Sequence, residues 1–235
     1  MKNETWAILI ASGRDAEIGT SVTSPFLFLN DRPVIAYALA AAEQAPEISG
    51  VIVVIDRENA SDMATLMKTY RFAKIKKVVG GAARRPTSMC AGLSYVDPGV
   101  EYICVLDPNR PLVTPGLVSD VVKAAWRGGI ATAAEPVNDP ILVIKKNAFK
   151  KRLPEPDGHY WTLLTPQAFP RQLLVDAYAT TRKTAADDLE AVTAIAPGSI
   201  PRIVAAPPAC HVSVCIRNID DLATATAFLR DPNRI

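Results

Sequence analysis

Four short stretches of the chain carry residue types suited to holding a phosphorylated ligand. Ala11-Ser12-Gly13 opens a loop that continues as Arg14-Asp15-Ala16-Glu17. Gly80-Gly81-Ala82-Ala83-Arg84-Arg85-Pro86-Thr87-Ser88 sets two glycines and two arginines just ahead of a helical pattern. Backbone N–H groups at such a helix start can meet an anion or the edge of a base. Asp107-Pro108-Asn109-Arg110-Pro111 offers one carboxylate for a metal and one cation for a phosphate, and Glu135 to Pro140 adds Asp139. Each stretch follows a strand-like apolar run, and in an open parallel sheet ligands bind beyond the carboxyl ends of the strands. Singly these signals are weak, because an aspartate before proline at a strand end is commonly a turn residue.

Other chemistries lack their residues. The sequence has no G-x-x-x-x-G-K-S/T loop, no G-x-G-x-x-G fingerprint and no G-x-S-x-G elbow, which sets aside a P-loop, a standard dinucleotide site and a serine hydrolase. An NAD(P)-binding reading is therefore disfavoured. Cys90, Cys104, Cys210 and Cys215 form no C-x-x-C pair, and with only His159 and His211 beside them a zinc site lacks its usual spacing. Twenty-six Lys and Arg face 24 Asp and Glu, a formal charge of +2. A general nucleic-acid binder rests on a much larger cationic surplus. No apolar run approaches the roughly 18 residues of a membrane span, and Trp6 to Ala11 is too short for a signal-peptide core. The chain is expected to be cytoplasmic, with no membrane and no nucleic acid among its partners.

The elements that must position these loops follow from periodicity. Strand-like runs lie at 7–10, 51–55, 75–79, 102–106, 130–134, 202–205 and 212–216, rich in β-branched residues and almost continuously apolar, as strands covered on both faces are. Between them, helical patterns span 33–44, 59–70, 87–96, 115–126, 171–180, 187–195 and 220–229. Gly128-Gly129 ends one helix before its strand. This alternation predicts a single α/β domain over residues 1–235, a mostly parallel twisted sheet with helices on both faces. Residues 140–164 break the rhythm. A basic cluster (Lys145, Lys146, Lys150, Lys151, Arg152) and a Pro-Glu-Pro-Asp-Gly turn at Pro154 to Gly158 predict a β-hairpin arm that leaves the sheet. Asp187 and Asp188 read as caps of the helix they begin, and Trp161 as arm or core packing.

In order and spacing the loops resemble the methylerythritol phosphate cytidylyltransferases of the nucleotide-diphospho-sugar transferase superfamily, from about Trp6 to Leu229. Ala11-Ser12-Gly13 is similar to that family's Ala-Ala-Gly, and Leu27 to Ile35 to its Leu-x-Leu-Gly-Gly-x-Pro-Val-Leu. Gly81 through Arg85 to Ser88 is similar to its cytosine loop, and Asp107 to Pro111 to its Asp-Ala-Ala-Arg-Pro. Thr165-Pro166-Gln167-Ala168-Phe169 matches Thr-Pro-Gln-x-Phe, and Asp187-Asp188 stands where the family has Thr-Asp-Asp or Thr-Asp-Glu. The resemblance implies a nucleotidyltransferase of isoprenoid biosynthesis that joins CTP to a polyol phosphate with Mg²⁺ and releases pyrophosphate. It implies nucleotide contacts from Ala11, Ser12, Gly13, Gly81, Arg85, Ser88, Asp107 and Arg110, a metal contact from Asp107, and substrate contacts from Asp139, Thr165 and Gln167. It also implies a homodimer clasped by the arm.

The sequence departs from the family where that reaction needs cations. Glu17 stands at a family arginine, Ser24 at a lysine, and Asp157 near an arm arginine. Asp139-Pro140 replaces an acceptor-binding Asp-Thr. Near the last strand, Val212 and Cys215 fall at a metal-binding aspartate and a lysine. A unit-charge contact at 4 Å is worth about 4 kcal/mol at an effective dielectric near 20, and each ~1.4 kcal/mol is about tenfold in rate. Two reversals and two deletions predict that the family reaction is lost or strongly weakened unless Arg14, Arg84, Arg85 or Arg110 compensates. The rival expectations are a transferase with a changed nucleotide or acceptor, and a non-catalytic homologue acting as a binding or structural dimer.

Overall fold

In the computed structural model, residues 3–13, 24–145, 148–153, 160–181, 185 and 187–230 are described. The chain runs β1 (Thr5–Ala11), β2 (Phe28–Leu29), β3 (Arg32–Pro33), α1 (Val34–Gln44), β4 (Ile48–Ile55), α2 (Ala60–Tyr70), β5 (Ile75–Gly80), α3 (Arg85–Leu93), β6 (Tyr102–Leu106) and α4 (Pro115–Gly128). It continues with β7 (Ala131–Pro136), β8 (Leu142–Lys145), β9 (Ala148–Arg152), β10 (Trp161–Pro170), α5 (Arg171–Thr181), α6 (Asp188–Ile195), β11 (Arg202–Ala205) and α7 (Ile219–Leu229). Seven strands form the main sheet in the order β11-β7-β10-β6-β1-β4-β5. All its pairings are parallel except those of β10, which runs antiparallel to both β6 and β7.

Period-two alternation along β1 sorts its side chains between two cores. Ala7, Leu9 and Ala11 point to one face, where α1, α2 and α4 cover them through Leu39, Met63 and Val121. Trp6, Ile8 and Ile10 point to the other, against Met89 of α3, Tyr178 of α5 and Val192 of α6. Both faces are buried, so the strand reads as continuously apolar. A smaller cluster of Leu29, Val34, Ile216 and Ala225 seats α7 on β2 and α1. Gly129 ends α4 at φ +84°, a conformation that favours glycine. No helix among the described residues is long and apolar enough to cross a membrane.

Three expectations change. Residues 212–216 do not form a strand. Their polar backbone is used elsewhere: the carbonyls of Val212 and Ser213 accept from Arg110, Val214 N–H donates to His211, and Ile216 N–H donates to Asn109. The apolar side chains Val212 and Ile216 are buried as loop anchors. Second, the irregular segment divides. β8 and β9 pair with each other as a hairpin apart from the main sheet, whereas Trp161 to Leu164 begin β10 inside it. The turn at 154–158 lies outside the described residues. Third, only Asp187 caps α6, accepting from Glu190 N–H at 2.7 Å; Asp188 is buried.

Candidate functional site

The carboxyl ends of β1, β4, β5 and β6 meet at one rim. Ser12 follows β1 and Gly81 follows β5, and the two loops touch. A Cβ added at Gly81 would sit 2.1 Å from Ser12 Oγ and 2.4 Å from Ser12 Cβ, so only glycine permits this approach. Ser12 Oγ donates to Ser88 Oγ at 2.9 Å, and Ser88 Oγ donates to the Ala82 carbonyl and accepts from Ala82 N–H, both at 3.0 Å. Gly13, at φ +100°, donates its N–H to Asp56 at 3.1 Å. The expectation that N–H groups after β5 point at a ligand is not how Gly81 and Ala82 use theirs. Gly81 N–H donates to the Ile55 carbonyl at 2.7 Å, and Ala82 N–H to Ser88. The loop is held rigid by its own donors. Gly81→Ala should therefore cost about 1–3 kcal/mol through overpacking. Ser12→Gly in the same chain should restore most of it, and urea unfolding of both variants checks this.

Asp107 ends β6. Its N–H donates to Thr165 Oγ1 at 3.3 Å, and its Oδ1 accepts from Asn109 N–H at 2.9 Å. Arg110 Nε lies 3.3 Å from its Oδ2. Arg110 is only 8% exposed, and its Nη1 donates to the carbonyls of Val212 (3.0 Å) and Ser213 (2.9 Å). This guanidinium ties the C-terminal segment to the β6 loop. Gln167 is buried, with Nε2 donating to Leu164 at 3.1 Å. Asp139 is exposed after β7 and is not among the described residues that line the cleft below.

Arg85, at the start of α3, forms an ion pair with Asp188 at 2.5 Å. Asp188 is 2% exposed and also accepts from Tyr178 Oη. Burial disfavours the Arg85 charge, but the Asp188 carboxylate overrides it and holds the guanidinium protonated. Burial and the same carboxylate push the Tyr178 phenol well above its ordinary range. The sequence suggested none of this coupling between the glycine loop and α6.

These loops enclose a cleft of about 470 Å³, lined by Ser12, Arg85, Asp107, Asn109, Cys215 and Arg217 among others. Ser88 and Gly81 both touch Ser12 but are not among the described residues that line the cleft. Cys215 Sγ lies 3.9 Å from Asp107 Oδ2. Burial first, then the Asp107 carboxylate, push this thiol up to about 11 against the pull of Arg110 and Arg217, so it is neutral near pH 7. Arg217 was missed from sequence. Its signal was its place two residues beyond Cys215, directly ahead of the Asn218-x-x-Asp221 capping box that starts α7. Glu17 and Asp157 lie outside the described residues, as does the side chain of Ser24.

The donor set is a poor fit for a resident Mg²⁺. No group of three or more His, Cys, Asp or Glu side chains converges among the described residues. Among the described residues lining the cleft, Asp107 alone offers a carboxylate, and it already accepts from Asn109 and faces Arg110. Mg²⁺ wants near-octahedral oxygen donors, usually one or two carboxylates with substrate phosphates. Buried Val212 contributes none.

A parallel-rich sheet with a cleft at its strand ends, walled by a glycine loop, defines an α/β fold of the nucleotidyltransferase kind. The sequence matches the model of the 2-C-methyl-D-erythritol 4-phosphate cytidylyltransferase family over residues 5–231, and the chain belongs to that family. It is 31% identical to the 2-C-methyl-D-erythritol 4-phosphate cytidylyltransferase of Desulforamulus reducens, covering 97% of this chain and 96% of that one. It is 30% identical to that of Pelotomaculum thermopropionicum, covering 95% and 93%. Among solved structures, the 4-diphosphocytidyl-2C-methyl-D-erythritol synthase of Anaerococcus prevotii shares the fold with a TM-score of 0.84 at 21% identity, covering 98% of this chain and 97% of that one. The Thermus thermophilus enzyme superposes at 0.76 with 25% identity, covering 97% and 100%.

Proposed function

We propose that this family member keeps a nucleotide-holding cleft but has lost, or strongly weakened, cytidylyl transfer from CTP to methylerythritol phosphate. One observation carries the reading: Arg85 and Arg110, two of the four arginines that the sequence offered as compensation, are engaged elsewhere. Arg85 is bound to Asp188, and Arg110 to two backbone carbonyls and Asp107. Arg84 is exposed and is not among the described residues lining the cleft. In the segment 14–23, Arg14 is outnumbered by Asp15 and Glu17. In-line displacement at an α-phosphorus needs positive charge aligned on oxygens that gain negative charge as the bond to pyrophosphate breaks.

Ser12, Gly81 and Ser88 keep the base wall in this reading, and Arg85, held by Asp188, lines the cleft beside it. The β8–β9 hairpin is the arm through which the chain pairs as a homodimer. Leu142 and Ile144 on it are 52% and 54% exposed, and Trp161 at the start of β10 is also exposed, apolar surface suited to burial against a second copy. A pyrophosphate-release assay with CTP, Mg²⁺ and methylerythritol phosphate tests the reading. The expected turnover is at least a hundredfold below about 1 per second, an ordinary enzyme rate. Turnover at that rate or above would overturn it.

A further inference from the structure

We propose that Arg217 is the group that holds ligand phosphate in this cleft, and that the cleft prefers a nucleoside monophosphate to a triphosphate. The inference rests on the reading above for the base-holding wall and names the ligand class of the same site.

Among the described residues lining the cleft, the cations are Arg85 and Arg217. Arg85 is neutralised by Asp188. Arg217 forms no ion pair among the described residues. Its guanidinium lies near Cys215, a neutral thiol, and carries five N–H donors, so most of the fork remains for a ligand.

The backbone that carries Arg217 is fixed. Its N–H and that of Asn218 donate to Asp221 Oδ2 at 2.7 and 3.0 Å, and Asp221 N–H donates back to Asn218 Oδ1 at 3.0 Å. This capping box anchors the backbone of Arg217, which lines the cleft together with Ser12. A planar, weakly hydrated fork there matches a phosphate oxygen pair.

Charge counting sets the ligand class. Asp107 offsets Arg110, and Asp188 offsets Arg85, so Arg217 is the one uncompensated charge among these five groups. It can neutralise part of one phosphate. The β- and γ-phosphates of a triphosphate would add negative charge with no further cation among the described lining residues and with Asp107 on the same wall.

Calorimetry of cytidine, CMP and CTP tests this on the full chain and on Arg217→Ala and Arg217→Lys, each with and without Mg²⁺. CMP is expected to bind at least as tightly as CTP. Arg217→Ala is expected to weaken CMP about fivefold or more while leaving cytidine unchanged, with Arg217→Lys in between. Arg217 is exposed, so the thermal midpoint of both variants should match the parent. Tenfold tighter binding of CTP than CMP to the parent chain would overturn the proposal, as would CMP affinity indifferent to Arg217→Ala. If cytidine binds and Arg217 makes no difference, this inference alone falls. If none of the three binds, the nucleotide reading falls with it.

Discussion

Arg110→Ala should destabilise the protein by about 3 kcal/mol, which for a chain of this size lowers Tm by roughly 6–12 °C. The Arg110 guanidinium is a buried clamp: it serves the carbonyls of Val212 and Ser213 and faces the Asp107 carboxylate. Truncation strips both carbonyls of their charged donor and leaves Asp107 unpaired. Asp107 keeps about a quarter of its side-chain surface in water, which holds the cost near the lower end of the 3–5 kcal/mol usual for breaking a buried pair. Arg110→Lys retains the charge but loses the fork, and should fall between. Thermal and urea unfolding check the series. A midpoint for Arg110→Ala within 2 °C of the parent would show that the C-terminal segment is held by Val212 and Ile216 alone.

Asp188→Ala should cost a similar 3–4 kcal/mol. It removes the acceptor of the buried Tyr178 hydroxyl and the counter-charge of Arg85 at once. Arg85 retains one-third of its side-chain exposure on the cleft side, so its charge has an outlet to water and the loss stays below the upper limit. Asp188→Asn should cost about half as much, because the amide oxygen still accepts from Tyr178. It has a second effect of opposite value. A guanidinium released from Asp188 adds one unpaired cation to the cleft, so CTP affinity should rise several-fold even as stability falls. Unfolding curves and CTP calorimetry on the same samples separate the two effects; lower stability with unchanged CTP binding would mean that the released Arg85 does not reach the ligand.

Much of the framework is legible in the sequence, because buried parallel strands and amphipathic helices carry strong local patterns. Val51 to Ile55 could hardly be anything but a central strand, and Pro115 with Gly129 brackets α4. The strand β10 was not legible. Its first residues are exposed, its ladder to β7 is interrupted between Leu163 and Gln167, and it mixes polar residues with apolar ones. Residues 212–216 erred the other way. An apolar run specifies burial, and burial as a loop anchor satisfies it as well as burial in a ladder once Arg110 supplies the hydrogen bonds.

For the site, spacing found the loops but not their internal bonding. Gly81 looked like an N–H donor for a ligand, and the tight contact with Ser12 is what demands its missing side chain. Arg85 and Arg110 read as cations that could compensate at the phosphates, and only the pairing of Arg110 with a carboxylate of its own loop, Asp107, was within reach of the sequence. Whether an arginine faces solvent, a carbonyl or a carboxylate depends on residues about a hundred positions away, such as Asp188 and Val212, and no local pattern encodes that.

The one reversed strand also sets an order of assembly. β5, β4, β1 and β6 pair with one another within the first 106 residues, so this half-sheet can form while synthesis continues, with the other edge of β6 left open for β10. β7 pairs only with β10 and β11, both of which lie later in the chain. It must wait, its edges unclaimed, until the ribosome has released residues 161–170, and during that interval the nascent chain is most exposed to wrong pairings.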